Sequence, residues 1–275
     1  MKIRILTGIV GVLILLPVLY FSDTWVFPGA VALAAMIGVW ELLKCMKLDR
    51  VWVLSIPMLA VAVATPLLQR GLSTAAFTRY AVGAMMLLAL YVLAVLVFYG
   101  GRVPVTDACA GIFVSLYILV GFCGILYLRD LAPIGKYLYL LTFVGAWVTD
   151  TFAYFCGRLF GKHKLAPAVS PKKTIEGSIG GVLFCALGFL VYGLIVRRWF
   201  DVSCDLLWIT LAGVAVSVTA QIGDLAMSVI KRQQGIKDYG NLFPGHGGVL
   251  DRFDSILAVA IVLSVLSSYI TIFRL

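Results

Sequence analysis

Residues 228–254 concentrate charge and glycine in a chain that is otherwise apolar. The segment reads SVIKRQQGIKDYGNLFPGHGGVLDRFD and lies between two hydrophobic stretches. Ionisable groups are costly to hold near lipid, so this composition indicates a functional site. Glycine lets backbone N–H groups approach phosphate, cations neutralise its charge, and carboxylates hold a divalent ion. The segment therefore predicts a site for a polyphosphate and its metal ion.

Two aspartates lie inside hydrophobic stretches at matching depth. At the α-helical rise, Asp150 lies about 12 Å below the helix end marked by Arg158, and Asp224 about 10 Å below Lys231. Asp224, Ser228 and Lys231 are spaced i, i+4, i+7 and share one helix face. We expect both acids to line one cleft. The alternative for Asp150 is a carboxyl group hydrogen-bonded between helices.

Asp251 and Asp254 are spaced i, i+3 at the start of the last hydrophobic stretch. Acids favour the first turn of a helix, so capping is the alternative interpretation of this pair. Capping explains one acid better than two, and the preceding Gly247-Gly248 favours a functional role.

A basic segment, Ser170-Pro171-Lys172-Lys173-Thr174 followed by Glu176-Gly177, precedes another hydrophobic stretch. Its lysines fit a cytosolic loop of any membrane protein, whereas the interleaved polar residues favour contact with phosphate or a nucleotide. Thr174 and Glu176 are also suited to capping the next helix. Of the two histidines, His246 is expected to bind phosphate or to shape its loop. His163 is expected to have no specific functional role.

The composition is that of a membrane protein. Hydrophobic residues make up 62% of the chain and charged residues 13%, and the mean hydropathy is +1.05. Too few polar residues remain to cover a soluble core. Apolar runs near twenty residues predict an all-α polytopic protein with about nine spans. The predicted spans are 5–21, 24–42, 51–69, 78–99, 105–128, 136–158, 177–196, 206–230 and 250–272.

The basic residues predict the orientation. If the spans alternate, 15 of the 22 lysines and arginines fall on the side of the N-terminus. The positive-inside rule then places the N-terminus and loops 159–177 and 231–250 in the cytosol, and the C-terminus outside. The net charge of +9 reflects topology and a site, not nucleic-acid binding. We expect scaffold helices over 1–130 and a catalytic region over 131–275, together forming one structural unit.

The run S-x-x-K-R-x₄-K-D-x-G-x₂-F-P-x-H-G-G-x-x-D-R-x-D, from Ser228 to Asp254, resembles the signature of the phosphatidate cytidylyltransferases. The upstream stretch from Asp150 to Gly177 is similar to a second motif of that family. The resemblance implies transfer of a cytidylyl group from CTP to phosphatidate in phospholipid biosynthesis. The enzyme is expected in a bacterial plasma membrane, with a site that opens to the cytosol. The resemblance also implies Mg²⁺, with one or two ions.

The resemblance assigns roles to the polar residues. Asp224 and Asp251 are the expected main metal ligands, with Asp150 and Asp254 as supporting acids. The cations expected to neutralise phosphate charge are Lys231, Arg232 and Arg252. The expected nucleotide or substrate contacts are Lys172, Lys173, Thr174, Glu176, Ser228, Lys237, Asp238, His246, Gly247 and Gly248.

Three other functions compete with this interpretation. A transporter or cation channel would use Asp150 and Asp224 as ion ligands and would have polar residues reaching both membrane faces. The non-cytosolic half of the predicted spans has few acids, so the cleft is expected to open on one side only. An enzyme that consumes CDP-lipids would need a different aspartate pattern, which is absent from the sequence. A relative acting on another lipid phosphate stays open, as do acyl-chain preference and oligomeric state, a homodimer included.

Overall fold

The computed structural model describes residues 2–99, 103–200 and 202–274, with side chains from residue 7 onward. Arg102, one of the basic residues used to predict orientation, lies outside the described residues. Within them the chain forms nine long helices and one short helix, α6. These are α1 (Lys2–Tyr20), α2 (Val26–Cys45), α3 (Trp52–Gly71), α4 (Thr74–Phe98), α5 (Val105–Asp130), α6 (Gly135–Leu138), α7 (Leu140–Phe160), α8 (Ile175–Trp199), α9 (Leu206–Gln233) and α10 (Leu250–Tyr269).

Each predicted span coincides with a long helix, with ends that differ by at most four residues. In lipid a helix satisfies its backbone polar groups internally, so long apolar runs have few other options. Among the described residues, seven helical segments are long and apolar enough to cross a membrane, with α6 and α7 counted as one. The polytopic helical membrane class is therefore confirmed.

In the part of the chain that the structure describes, four short strands depart from the purely helical prediction. Strand β1 (Lys164–Ala166) pairs antiparallel with β2 (Ser170–Thr174), and β3 (Ser203–Cys204) pairs with β4 (Phe273–Arg274). The basic segment expected to be a loop is therefore half of a hairpin. A strand of five residues that contains a proline and two lysines lacks the alternation that would have predicted it.

By compactness the chain divides into two units. The first comprises Met1–Leu126 and Ile236–Arg252, and the second comprises Tyr127–Gly235 and Phe253–Leu275. The predicted division at residue 130 stays a prediction. In the first unit α2 packs against α5, where a Cβ on Gly38 would contact Ile118 at 3.7 Å and Phe122 at 3.8 Å.

In the second unit α8 packs between α7 and α9. Glycines let the helix backbones approach, as is common in membrane helix packing. A Cβ on Gly181 of α8 would lie 3.1 Å from the carbonyl oxygen of Thr149 in α7. A Cβ on Gly213 of α9 would lie 2.9 Å from Cα of Ala186 in α8. This close packing fixes Asp150 of α7 and Asp224 of α9 within one unit.

Candidate active site

An ion pair joins the hairpin of the second unit to α9. The Lys173 ammonium contacts the Asp224 carboxylate, and both side chains are about three-quarters buried, with 26% and 25% exposed. The Ser228 hydroxyl, one turn further along α9, donates to Asp224 Oδ1 at 3.4 Å. The i, i+4 spacing thus places acid and hydroxyl on one face, as predicted.

Among the described acids of the second unit, Asp254 is the most buried, with 8% of its surface exposed. Its Oδ1 accepts from the Ser255 N–H at 2.8 Å, and its carboxyl group interacts electrostatically with Asp224, Lys231 and Asp150. The Ser255 hydroxyl donates to Asp150 Oδ2 at 3.3 Å. We call Asp150, Lys173, Asp224, Lys231 and Asp254 the acid–lysine cluster.

The cluster mixes acids and ammonium groups that differ in burial, because Asp254 and Lys231 are buried whereas Asp150 is exposed. A buried carboxylate is tolerated only with compensating partners. Lys231 is only 7% exposed and interacts electrostatically with Asp254, and Lys173 pairs with Asp224. The cluster therefore holds three acids and two ammonium groups within the second unit, a combination that suits an anionic substrate together with a cation.

The fit to a magnesium ion is chemical rather than geometric. Carboxylate oxygens are the ligands that Mg²⁺ prefers. Among the described residues, however, no three acidic, histidine or cysteine side chains converge closely enough to hold an ion. The metal-ligand assignment of Asp224, Asp251, Asp150 and Asp254 stays a prediction.

Three polar residues attach the β1–β2 hairpin to the start of α8. The Thr174 hydroxyl accepts from the Gly177 N–H at 3.1 Å, which is a helix N-cap. Glu176 accepts from the His163 backbone N–H at 3.2 Å and contacts His163 Nδ1 at 2.7 Å. The capping interpretation of Thr174 is thus confirmed. Lys172, on the same strand, is exposed.

In the first unit, Asp251 holds the loop that precedes α10. Its Oδ2 accepts from the Tyr239 N–H at 2.7 Å and the Gly248 N–H at 2.9 Å. The second bond resembles one half of a capping box, in which an acid reaches back three residues. Asp251 is 6% exposed, so its carboxylate is an internal part of the loop.

Glu41, which the sequence analysis missed, completes this arrangement within the first unit. Its carboxylate accepts from the Val249 N–H at 3.0 Å and the Leu250 N–H at 2.8 Å, with 6% of the residue exposed. Glu41 is the sole acid of α2. The rule that singled out Asp150, that an acid inside an apolar helix is suspect, would have found it.

The glycine-rich turn folds tightly beside Asp251. The Phe243 N–H donates to the Gly247 carbonyl at 2.9 Å, and the His246 N–H donates to the Phe243 carbonyl at 2.8 Å. Gly247 has φ +87°, and a Cβ there would lie 2.6 Å from Asp251 Oδ2. Only glycine fits this position without strain.

The expected phosphate cradle at 244–248 is therefore already bonded in part. The Gly248 N–H donates to Asp251, and the next two N–H groups donate to Glu41. The other residues predicted to contact substrate lie at the surface of their own units. These are Arg232 in the second unit, and Lys237, Asp238 and Arg252, which are exposed in the first.

The apolar helices and the acid–lysine cluster define a polytopic membrane protein with a candidate site for an anionic substrate. The Cytidylyltransferase family matches residues 2–270, and the chain belongs to that family.

The chain is similar to three staphylococcal proteins, each named phosphatidate cytidylyltransferase. It is 34% identical over 267 residues to the protein from Staphylococcus haemolyticus and 35% identical over 267 residues to that from Staphylococcus epidermidis. It is 33% identical over 270 residues to that from Staphylococcus aureus. Each alignment covers 97% of this chain and 98% of the relative.

Proposed function

We propose that this chain transfers a cytidylyl group from CTP to phosphatidate, giving CDP-diacylglycerol and pyrophosphate. The observation that carries the proposal is the end-to-end similarity to proteins named for this reaction, at 33% to 35% identity. The acid–lysine cluster supports the proposal, because a reaction between two phosphates needs charge neutralisation more than covalent chemistry.

The bond changes are those of a phosphoryl-type substitution. An oxygen of the phosphatidate phosphate attacks the α-phosphorus of CTP and forms a new P–O–P bond. The bond from the α-phosphorus to the bridging oxygen of the β-phosphate breaks, and pyrophosphate leaves. A phosphate monoester has its second pKa at about 6, so the attacking oxygen is already anionic at neutral pH. The reaction therefore needs no protein base.

The lysines of the cluster are assigned the neutralisation of the negative charge on the substrate phosphates. Lys231 is buried next to Asp254 and lies one helical turn beyond Ser228, where it is suited to neutralise a phosphate. Lys173 and the exposed Lys172 are assigned to the nucleotide phosphates. Thr174 and Glu176 are assigned a supporting role, because their side chains hold the hairpin that carries both lysines.

The acids are assigned to a divalent cation. Asp224, Asp254 and Asp150, all of the second unit, are the residues that would hold Mg²⁺. Asp251 of the first unit stays a further candidate ligand, and the number of ions, one or two, stays a prediction. Bound there, the ion would neutralise the charge that develops on the phosphate oxygens. The further residues proposed to contact the substrates are Ser228 and Arg232 in the second unit, and Lys237, Asp238, His246, Gly247, Gly248 and Arg252 in the first.

The finer topology belongs to the same proposal. We infer nine spans in a bacterial plasma membrane, with the N-terminus and a polar cleft facing the cytosol and the C-terminus outside. The distribution of 15 of the 22 basic residues on one side supports this orientation. CTP would then arrive from the cytosol and phosphatidate from the surrounding lipid, and a homodimer is compatible with this arrangement.

The test is incorporation of base-labelled CTP into lipid by the purified protein in detergent, with phosphatidate supplied or omitted. We expect labelled lipid only when phosphatidate is present. Incorporation that is equal without phosphatidate, or that requires a different lipid phosphate, would reject the proposed substrate.

A further inference from the structure

We infer that Glu41 is a positioning residue that sets the start of α10, and with it Asp251, for the reaction proposed above. Glu41 lies on α2, about 200 residues from α10 in the sequence, and outside both polar motifs. The positioning role of Glu41 rests only on the contacts that it makes within the first unit.

The contacts of Glu41 are specific to a carboxylate. Its two oxygens accept separately from two successive backbone N–H groups, those of Val249 and Leu250. The first N–H groups of a helix have no partner inside the helix, and their dipoles favour a negative charge. Glu41 supplies this charge from another helix, so the start of α10 is attached to α2.

Gly240 and Gly248 leave room for this carboxylate, because a side chain at either position would overlap it. A Cβ on Gly240 would lie 2.9 Å from the Glu41 carboxyl carbon. A Cβ on Gly248 would overlap the same carboxyl group. The loop therefore closes around Glu41 on both sides, which explains why glycine occupies both positions.

Glu41 and Asp251 hold the loop before α10 through different backbone N–H groups. Asp251 accepts from the N–H groups of residues 239 and 248, whereas Glu41 accepts from residues 249 and 250. Because the Gly248 and Val249 amides are neighbours, the two carboxylates cannot move independently. A shift of Glu41 therefore displaces Asp251, although Glu41 itself is not proposed to touch a substrate.

Two substitutions separate hydrogen bonding from packing. Glu41→Gln keeps the size but replaces one acceptor oxygen with an NH₂ group that faces a backbone donor. Glu41→Asp keeps two acceptor oxygens but removes a methylene. If acceptors matter, Asp retains more function than Gln, and if packing alone matters the order is reversed. Ser115→Ala is the control, because Ser115 is buried on α5 of the same unit and its hydroxyl has no hydrogen-bond partner among the described residues.

The first measurement is amide hydrogen exchange of the full-length protein in detergent. We expect slow exchange at residues 249 and 250 of the wild type, and exchange at least about tenfold faster in Glu41→Gln. The change should be confined to residues 237–252 and absent from Ser115→Ala. Rapid exchange at residues 249 and 250 in the wild type would overturn the inference even if no variant folds.

The second measurement is the steady-state rate of cytidylyl transfer. Since Asp251 is a proposed metal ligand and the loop that Glu41 holds carries proposed substrate contacts, we expect kcat to fall about 10-fold to 100-fold in Glu41→Gln, with any rise in the KM for CTP smaller than the fall in kcat. Faster exchange with unchanged kcat, or a lower rate in Asp than in Gln, would overturn the positioning role. If the wild type makes no CDP-diacylglycerol, the proposed function fails. The exchange data still test the contact between Glu41 and the N–H groups of residues 249 and 250.

Discussion

Lys173 and Asp224 form an ion pair between strand β2 and helix α9, with both side chains about three-quarters buried. The pair joins a residue assigned to the nucleotide with one assigned to the metal ion. A cation that binds Asp224 would replace Lys173 as the partner of this carboxylate. A phosphate that binds Lys173 would replace Asp224 as the partner of this ammonium group. The pair thus keeps both groups charged and close together within the second unit.

Asp224→Asn should remove nearly all cytidylyl transfer, because the amide carries no negative charge to pair with Lys173 or a cation. The measurement is the initial rate with saturating CTP and phosphatidate. Asp205→Asn is the matched control, since Asp205 caps the other end of α9 and asparagine caps equally well. Retention of more than about a tenth of the wild-type rate by Asp224→Asn, which is less than 1.4 kcal/mol of transition-state stabilisation lost, would remove Asp224 from the catalytic set.

Lys173→Met should raise the KM for CTP by about tenfold or more, since a charge-assisted contact to phosphate is lost from a partly buried position. Lys164→Met, on the partner strand of the same hairpin, should have little effect because Lys164 is exposed. Steady-state kinetics with CTP as the varied substrate measure both. Equal effects of the two substitutions would mean that only the general positive charge of the hairpin matters.

Thr174→Ala should lower the stability of the protein by about 1 kcal/mol through the loss of the α8 N-cap. Thr174→Ser keeps the hydroxyl acceptor and should melt close to the wild type. Thermal unfolding in detergent measures this difference. If Thr174→Ala melts like the wild type but binds CTP weakly, the hydroxyl acts on the nucleotide and the cap contributes little.

The sequence predicted the helices well because long apolar runs in lipid have few alternatives to a helix. It also grouped Asp150 with Asp224, and both interact electrostatically with the buried Asp254 of the same unit, whereas their matching depth below the membrane surface stays a prediction. It failed where contacts join distant segments. The bond from Val249 to Glu41 spans 208 residues, and no local pattern encodes it. The hairpin was missed because strand β2, which contains a proline and two lysines, lacks the alternation of apolar and polar residues that predicts a strand.

A cysteine introduced at Ala168 should report the orientation. Ala168 is exposed between β1 and β2, in the segment expected to face the cytosol. In a background where the exposed Cys109 is replaced, a membrane-impermeant thiol reagent should label Ala168→Cys only after the cytosolic face is opened. Labelling from outside intact cells would reverse the topology.

His246→Gln should retain far more activity than Asp251→Asn. The attacking phosphate is already anionic, so a histidine base is not required. Asp251, in contrast, holds the loop through two N–H groups. The measurement is the pH dependence of kcat for the wild type and His246→Gln. An acidic limb at about pH 6.5 that disappears in a nearly inactive His246→Gln would identify His246 as a base.

The central claim, that the chain moves a cytidylyl group, is tested most directly by the position of the label in CTP. Purified protein is supplied with phosphatidate, Mg²⁺ and CTP labelled at either the α- or the γ-phosphorus. We expect α-label to appear in the lipid product and γ-label in pyrophosphate, in equal molar amounts. Transfer of γ-label to lipid, or release of α-label without lipid product, would contradict the claim.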